Sequence, residues 1–326
     1  MSTPPVLDDA ALQTRGKIPY LRWWIAALLM FATTINYLDR QTLSIAVTSK
    51  DLDIPEDRYA IIQTAFLVAY AVLQPFAGGL MDWMGTRWGF AMAVISWSLA
   101  EIGHTLATGV KSFASLRFLL GVGESGNYPG AIKAVSEWFP ARERALATGL
   151  FNIGSGTGAL IAAPIVGGII LAWGWQAAFL LTGVLGLLWV IAWLILYHPL
   201  EQHPRLRPEE RAQILAGQER ELGRAERVPL RMILAHKEIW ALMLCKFLSD
   251  PVWYFYLFWV PKYLKTEHGF DLKSIALFAW VPYVFADFGC VLGGVVSSGL
   301  SRLGLPVLRV RKLAMCMSRV RVRGDW

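Results

Sequence analysis

Between Ala145 and Leu200 the chain carries no fixed charge. One helix crosses a bilayer with about 20 apolar residues, so a stretch of this length holds two crossings. Trp173-Gly174-Trp175-Gln176 supplies the turn between them. The composition agrees: charged residues make up only 17% of the 326 and the apolar set 55%, whereas a soluble domain is about a quarter charged. The 15 tryptophans suit a protein with two membrane interfaces. The chain is read as an all-α polytopic membrane protein, with spans predicted at 22–46, 59–81, 88–109, 111–134, 144–170, 176–198, 238–263 and 273–301.

The net charge of +7 is unevenly spread. Lys50, Arg58, Lys111, Lys262, Lys265 and Lys273 lie at one set of span ends. Apart from Arg40, Arg117 and Lys246 inside spans, the remaining Lys and Arg lie at the N-terminus, at the opposite ends or in the tail. Basic residues stay cytoplasmic, which places the N-terminus 1–21 and the linker 199–237 inside. The N-terminus, with Asp8 and Asp9, lacks the basic start of a cleaved signal peptide, so the first span is expected to stay. Pro208-Glu209-Glu210-Arg211 reads as the first turn of a surface helix. Six spans over 22–198, a charged linker and two spans over 238–301 suggest one repeat and the start of a second in a twelve-helix transporter. In the basic tail 302–326, Arg319, Arg321 and Arg323 rule out a ninth span, since each would cost about 2.5–3.5 kcal/mol in the bilayer. A truncation or frameshift near Met315 is therefore expected, and an inactive membrane fragment is the competing functional reading.

Asp39, Arg40, Glu101, Arg117, Glu124, Lys246, Asp250 and Asp287 fall within spans. Ionisable residues there face a cavity or a partner. Arg117 and Glu124 are two turns apart on one helix face, about 10 Å along the axis. Asn36 and Tyr37 each share a face with Arg40. The first and fourth spans run in opposite directions, and counting about 1.5 Å per residue puts Arg40 and Arg117 at similar depth in the outer part of the membrane. Two guanidiniums at one depth can clamp an anion, because Arg binds carboxylate bidentately. The plainer reading is a pair of structural charges neutralised by Asp39 and Glu124. Those two carboxylates can also carry protons, and Asp39 is expected against its neighbour Arg40.

Other groups leave alternatives open. Glu101 and His104 form a local pair or a relay. Lys246 reaches substrate depth or bridges Asp250, one turn away. Asp287 neutralises Lys246 or faces the cavity. Gly154, Gly156, Gly158, Gly167 and Gly168 read as close helix packing. Neither the three cysteines nor the five histidines show disulfide or metal spacing, and no phosphate-loop or nucleophile motif is present. An enzyme, a cofactor, a metal and a nucleic-acid partner are not expected; a monomer in the lipid bilayer is.

Gly78-x-x-x-Asp82-x-x-Gly85-x-Arg87 resembles the signature loop between helices 2 and 3 of the major facilitator superfamily. Asn36-Tyr37-Leu38-Asp39-Arg40, Arg117 through Glu124, and Ser136-Glu137-Trp138-Phe139-Pro140 resemble its anion:cation symporter family. Lys246 through Pro251 and Leu277-Phe278-Ala279-Trp280 are most similar to bacterial hexuronate transporters. The resemblance covers about residues 20–315. It implies the major facilitator fold, with about eight of its usual twelve spans, and proton-coupled symport of a hexuronate across the bacterial inner membrane. Another organic anion, an aldonate or aldarate, is the alternative. From the related galactonate transporters it implies substrate binding and coupling by Asp39, Arg40, Arg117 and Glu124, with Tyr37 and Tyr70 as binding tyrosines. Lys246 is a further candidate contact, and Gly78, Asp82, Gly85 and Arg87 form the gating loop. The family's glutamine of helix 5 is replaced by Ser155, which favours hexuronate over galactonate.

Overall fold

The computed structural model describes residues 17–52, 54–222, 232 and 234–285. In chain order the helices are α1 (Leu21–Ala46), α2 (Glu56–Met84), α3 (Thr86–Gly103), α4 (Val110–Glu124), α5 (Asn127–Trp138), α6 (Ala141–Trp173), α7 (Trp175–Leu196), α8 (Pro208–Leu222), α9 (Lys237–His268) and α10 (Leu272–Phe278). Among the described residues the only extended pairing is an isolated bridge between Ile18 and Leu206. Residues 1–16, most of the linker from 223 to 233, Asp287 with the rest of the last span, and the basic tail lie outside the described residues.

On length and composition alone, α1, α2, α6 and α7 can cross a membrane. The uncharged run is divided as expected, by Gly174 at φ 86° between α6 and α7. The third predicted span is α3, whose hydropathy is lowered by Arg87 and Glu101. The fourth, expected as one helix over 111–134, is two: α4 and α5 meet at Ser125-Gly126. Pro129 is the reason. It has no N–H to give the carbonyl of Ser125, and its ring crowds that carbonyl. The seventh span runs longer than predicted, as α9, and α10 is the described start of the eighth.

The linker's predicted surface helix is α8, with Glu209 and Glu210 in its first turn. It also finishes α1. Tyr20 is left-handed and offers no side-chain cap, so the first N–H groups of α1 need another acceptor. Leu21 and Arg22 donate their backbone N–H groups to Glu210 at 3.1 and 3.2 Å. The Arg22 guanidinium then bridges Glu210 at 3.3 Å and Glu143 of α6 at 3.0 Å.

Buried apolar side chains form two clusters. One surrounds Phe90, Trp97, Trp138 and Trp193, and the other Ile45, Ile62, Phe113 and Phe179. Tyr37 belongs to the first and Leu38 to the second, so the polar stretch of α1 lies where the clusters meet. Outward faces carry Ile61, Val72, Leu146, Ile153, Leu188 and Ile191, each more than half exposed. Lipid tails, as apolar as leucine, suit that surface.

Close approach of α6 to α1 sets the shape of this polar layer. A Cβ at Gly158 would stand 2.5 Å from the Thr34 carbonyl oxygen and 2.8 Å from the Tyr37 Cβ. Gly158→Ala is expected to lower stability by about 1–3 kcal/mol through overpacking. A thermal-unfolding series in detergent checks this.

Candidate functional site

Arg40 is the centre of the site. It is 1% exposed, in the last third of the membrane-spanning helix α1, so its charge needs local compensation. Its Nε donates to Glu124 Oε2 of α4 at 2.5 Å. Its guanidinium carbon lies 4.7 Å from the centre of the Tyr37 ring, 4.4 Å from Tyr70 and 5.4 Å from Phe66. Ring faces at these distances attract the cation. Tyr37 is one turn before Arg40 on α1, and Tyr70 comes from α2. The two tyrosines singled out in the sequence are thus brought together by the arginine they flank.

Arg117, fully buried on α4, donates through Nη1 to the backbone carbonyl of Arg40 at 3.3 Å. The Arg117 guanidinium thus reaches the backbone of the helical turn that carries Arg40. Among the described residues, Arg40 Nη2, Arg117 Nε and Nη2, Glu124 Oε1 and both amide atoms of Asn36 have no hydrogen-bond partner. Three guanidinium nitrogens, the Asn36 amide and a carboxylate oxygen in one buried layer can receive an anion that carries hydroxyls.

The pairing expected between Asp39 and Arg40 is not formed. Adjacent residues on a helix point about 100° apart, and Arg40 is held by Glu124 instead. Asp39 shares its buried surroundings with Glu101 of α3, Glu124 of α4, Thr182 of α7 and Arg117.

Lys246 stands apart from this centre. Its Nζ lies 2.7 Å from Asp250 Oδ1, and its side chain is 72% exposed. Of the two readings of the sequence, the bridge is the one formed. The pair lines a groove of 560 Å³ between α2 and α9, with Gln63, Thr64 and Tyr254. Tyr254 escaped the sequence analysis because it sits inside a run of aromatics, Trp253 to Tyr256, with no polar punctuation. It stacks on Phe258 at 5.6 Å, which meets Phe66 edge-on at 5.7 Å. That chain of rings links the groove to Arg40.

The loop residues tie helices together. Gly85, at φ 74°, makes a turn that a side chain resists. Asp82 pairs with Lys133 of α5 at 2.6 Å. Arg87 donates to the Leu194 carbonyl at 2.6 Å, while Trp193 donates back to the Arg87 carbonyl at 2.9 Å. Thr86 donates to Glu137 at 2.6 Å, and Tyr197 donates to the other oxygen of that carboxylate. Gly78 lies one turn before Asp82 on α2.

At the opposite end, where α1 finishes, Lys262 donates to the Ile54 carbonyl and Lys265 to the Val47 carbonyl at 3.2 Å. Tyr59 donates to the Phe258 carbonyl at 2.5 Å, and Tyr283 to Gln41 at 3.3 Å. These bonds join α1, α2 and the connection between them to α9 and to the helical residues 281–285 after α10.

Long apolar helices enclosing a buried layer of guanidiniums, carboxyls and tyrosines define a membrane transporter rather than an enzyme. The sequence profile described as Major Facilitator Superfamily matches residues 29–317, and the chain belongs to that superfamily. Among its relatives, a galacturonate transporter of Dickeya chrysanthemi is 41% identical over 283 residues, covering 85% of this chain and 82% of that protein. A hexuronate transporter of Escherichia coli (strain K12) is 38% identical over 314 residues, covering 94% and 72%. A bacterial homolog of the human lysosomal transporter Spinster, solved in an inward-facing and unoccupied conformation, shares the fold with a TM-score of 0.67 at 19% identity. This chain spans 64% of the length of that solved chain, which covers 87% of this one.

Proposed function

We propose that the protein carries a hexuronate, together with protons, across the bacterial inner membrane, with its N-terminus in the cytoplasm. The observation that carries the reading is the buried Arg40–Arg117 neighbourhood, with three N–H donor atoms uncommitted among the described residues. A carboxylate replaces water best where guanidinium forks await it. Tyr37 and Tyr70 flank the same site and offer hydroxyls to the sugar ring. Glu124 and Asp39 carry the coupling protons. Lys246 and Tyr254 line the approach from the groove. Gly78, Asp82, Gly85 and Arg87 form the gating turn, and residues 22–198 form one six-helix half acting against the spans that follow.

Relatives support a sugar acid: the Dickeya galacturonate transporter and the Escherichia coli hexuronate transporter share 41% and 38% identity with this chain, and a hexuronate transporter of Bacillus subtilis and a probable L-galactonate transporter of Escherichia coli 30% and 31%. The galactarate/glucarate transporters of Bacillus subtilis and Escherichia coli stand lower, at 28–29%. The test is uptake of labelled galacturonate and glucuronate into proteoliposomes under an inward proton gradient, with galactarate as competitor. Arg117→Lys is expected to lower affinity at least about tenfold, since a charged hydrogen-bond partner is worth roughly 1.5–3 kcal/mol and an ammonium cannot reproduce the fork. Unimpaired uptake by that variant contradicts the assignment of Arg117.

A further inference from the structure

Behind the Arg40–Glu124 pair lies a second polar group, of which the transport reading above uses only Asp39. Glu101 of α3 and Asp39 of α1 are both 0% exposed, and Thr182 of α7 is 3% exposed. Thr182 Oγ1 stands 3.4 Å from Glu101 Oε1. Arg117 faces both carboxyls, along with Glu124 and Tyr59. Among the described residues, neither oxygen of Asp39 has a hydrogen-bond partner, nor has Glu101 Oε2.

Charge counting decides what this arrangement needs. Three carboxyls, on Asp39, Glu101 and Glu124, share the layer with two guanidiniums, on Arg40 and Arg117. Arg40 is engaged by Glu124 at 2.5 Å, so Asp39 and Glu101 are left with Arg117 alone. An uncompensated charge is expensive in a membrane interior. The other neighbours do not relieve it. His104 uses Nδ1 on the Ala100 carbonyl at 2.8 Å, stacks its ring on Phe179 at 4.9 Å, and has that same nitrogen 3.9 Å from Glu101. Tyr59 gives its hydroxyl proton to the Phe258 carbonyl, and Thr42 gives its own to Leu38 at 3.0 Å. One proton shared by Asp39 and Glu101 restores neutrality.

We infer that Glu101 is a third proton-carrying residue of the transport cycle, sharing a proton with Asp39 on the side of Arg117 away from the anion cradle. The inference rests on the proton-coupled reading above. Arg117 is the link. When a substrate carboxylate engages its free Nε and Nη2, less of its charge serves Asp39 and Glu101, and the pair takes a second proton from the aqueous phase on that side. When the carboxylate leaves, Arg117 returns to the pair, and that proton departs into the other compartment. Each substrate anion thereby moves with one proton through this pair.

The test separates exchange from accumulation in proteoliposomes. Glu101→Gln keeps the hydrogen-bonding shape without a titrating group. It is expected to exchange labelled against unlabelled galacturonate at the wild-type rate. Asp39 still titrates in that variant, so the loss is read in an Asp39→Asn background, where adding Glu101→Gln is expected to lower accumulation about tenfold for each pH unit of gradient, the factor that one coupled proton supplies. Glu101→Asp should keep coupling. Infrared spectra over a pH titration supply a readout that needs no substrate: a protonated-carboxyl carbonyl band present in the wild type and lost in Glu101→Gln supports the inference. The inference is overturned if Glu101→Gln leaves accumulation unchanged in the Asp39→Asn background. Equal loss of exchange and accumulation in both variants, the signature of a structural role, also overturns it, as does an infrared band unchanged by the substitution. Wild-type protein that moves no hexuronate would sink the substrate reading alone, and the infrared titration would still decide Glu101.

Discussion

Arg40→Ala is expected to abolish hexuronate binding and to destabilise the protein. Two effects add. The substrate carboxylate loses a charged partner, worth roughly 1.5–3 kcal/mol. Glu124, fully buried and paired with Arg40 at 2.5 Å, is left as an isolated charge, and breaking such a pair costs about 3–5 kcal/mol. Tyr37 and Tyr70 also lose the cation between their faces. Calorimetric binding and thermal unfolding measure the two effects separately. Arg40→Ala combined with Glu124→Gln removes both charges, so it should recover much of the stability and none of the binding. A double variant that regains binding would show that Arg40 serves only to neutralise Glu124.

Glu124→Gln alone is expected to uncouple transport. Its amide oxygen still accepts the Arg40 Nε–H, so the local geometry survives while the negative charge is gone. The variant imitates the protonated carboxyl and should bind galacturonate and exchange it across the bilayer. Uphill accumulation should be lost, by about tenfold for each pH unit if one proton travels through this group. The measurement compares counterflow with gradient-driven uptake in the same vesicles. Accumulation equal to the wild type would remove Glu124 from coupling.

Much of this layer was legible in the sequence because membrane-spanning helices leave few places for charge. Arg40, Arg117 and Glu124 stand out against apolar neighbours, and counting rise per residue was enough to set Arg40 and Arg117 at one depth. The partner choice was not legible. Asp39 follows Leu38 and precedes Arg40 in the chain, yet the 3.6-residue period sends it to Glu101 and Thr182 on other helices. Only the packing angle between α1, α3 and α7 reveals that. Thr182 itself lies in the uncharged run, where a threonine between Leu181 and Gly183 reads as filler. The break at Ser125-Gly126 was readable in principle from Pro129, but the apolar pattern continues through it and masks the stop. Glu210 looked like a first-turn acid serving its own helix, whereas it accepts the first N–H groups of α1, nearly the whole N-terminal half away in sequence. Lys246 drew attention as a rare cation, and its exposed bridge to Asp250 is local chemistry that the four-residue spacing already contained.

The central claim is that Arg40 and Arg117 recognise a carboxylate. Calorimetric titration of the purified protein with galacturonate and with its neutral amide, galacturonamide, tests it most directly. The two ligands share the ring and hydroxyls and differ in charge at one group. Galacturonate is expected to bind at least about tenfold more tightly, the lower range for a charged over a neutral hydrogen-bond partner, and Arg117→Lys should erase most of that difference. Equal affinity for acid and amide in the wild-type protein would contradict the account.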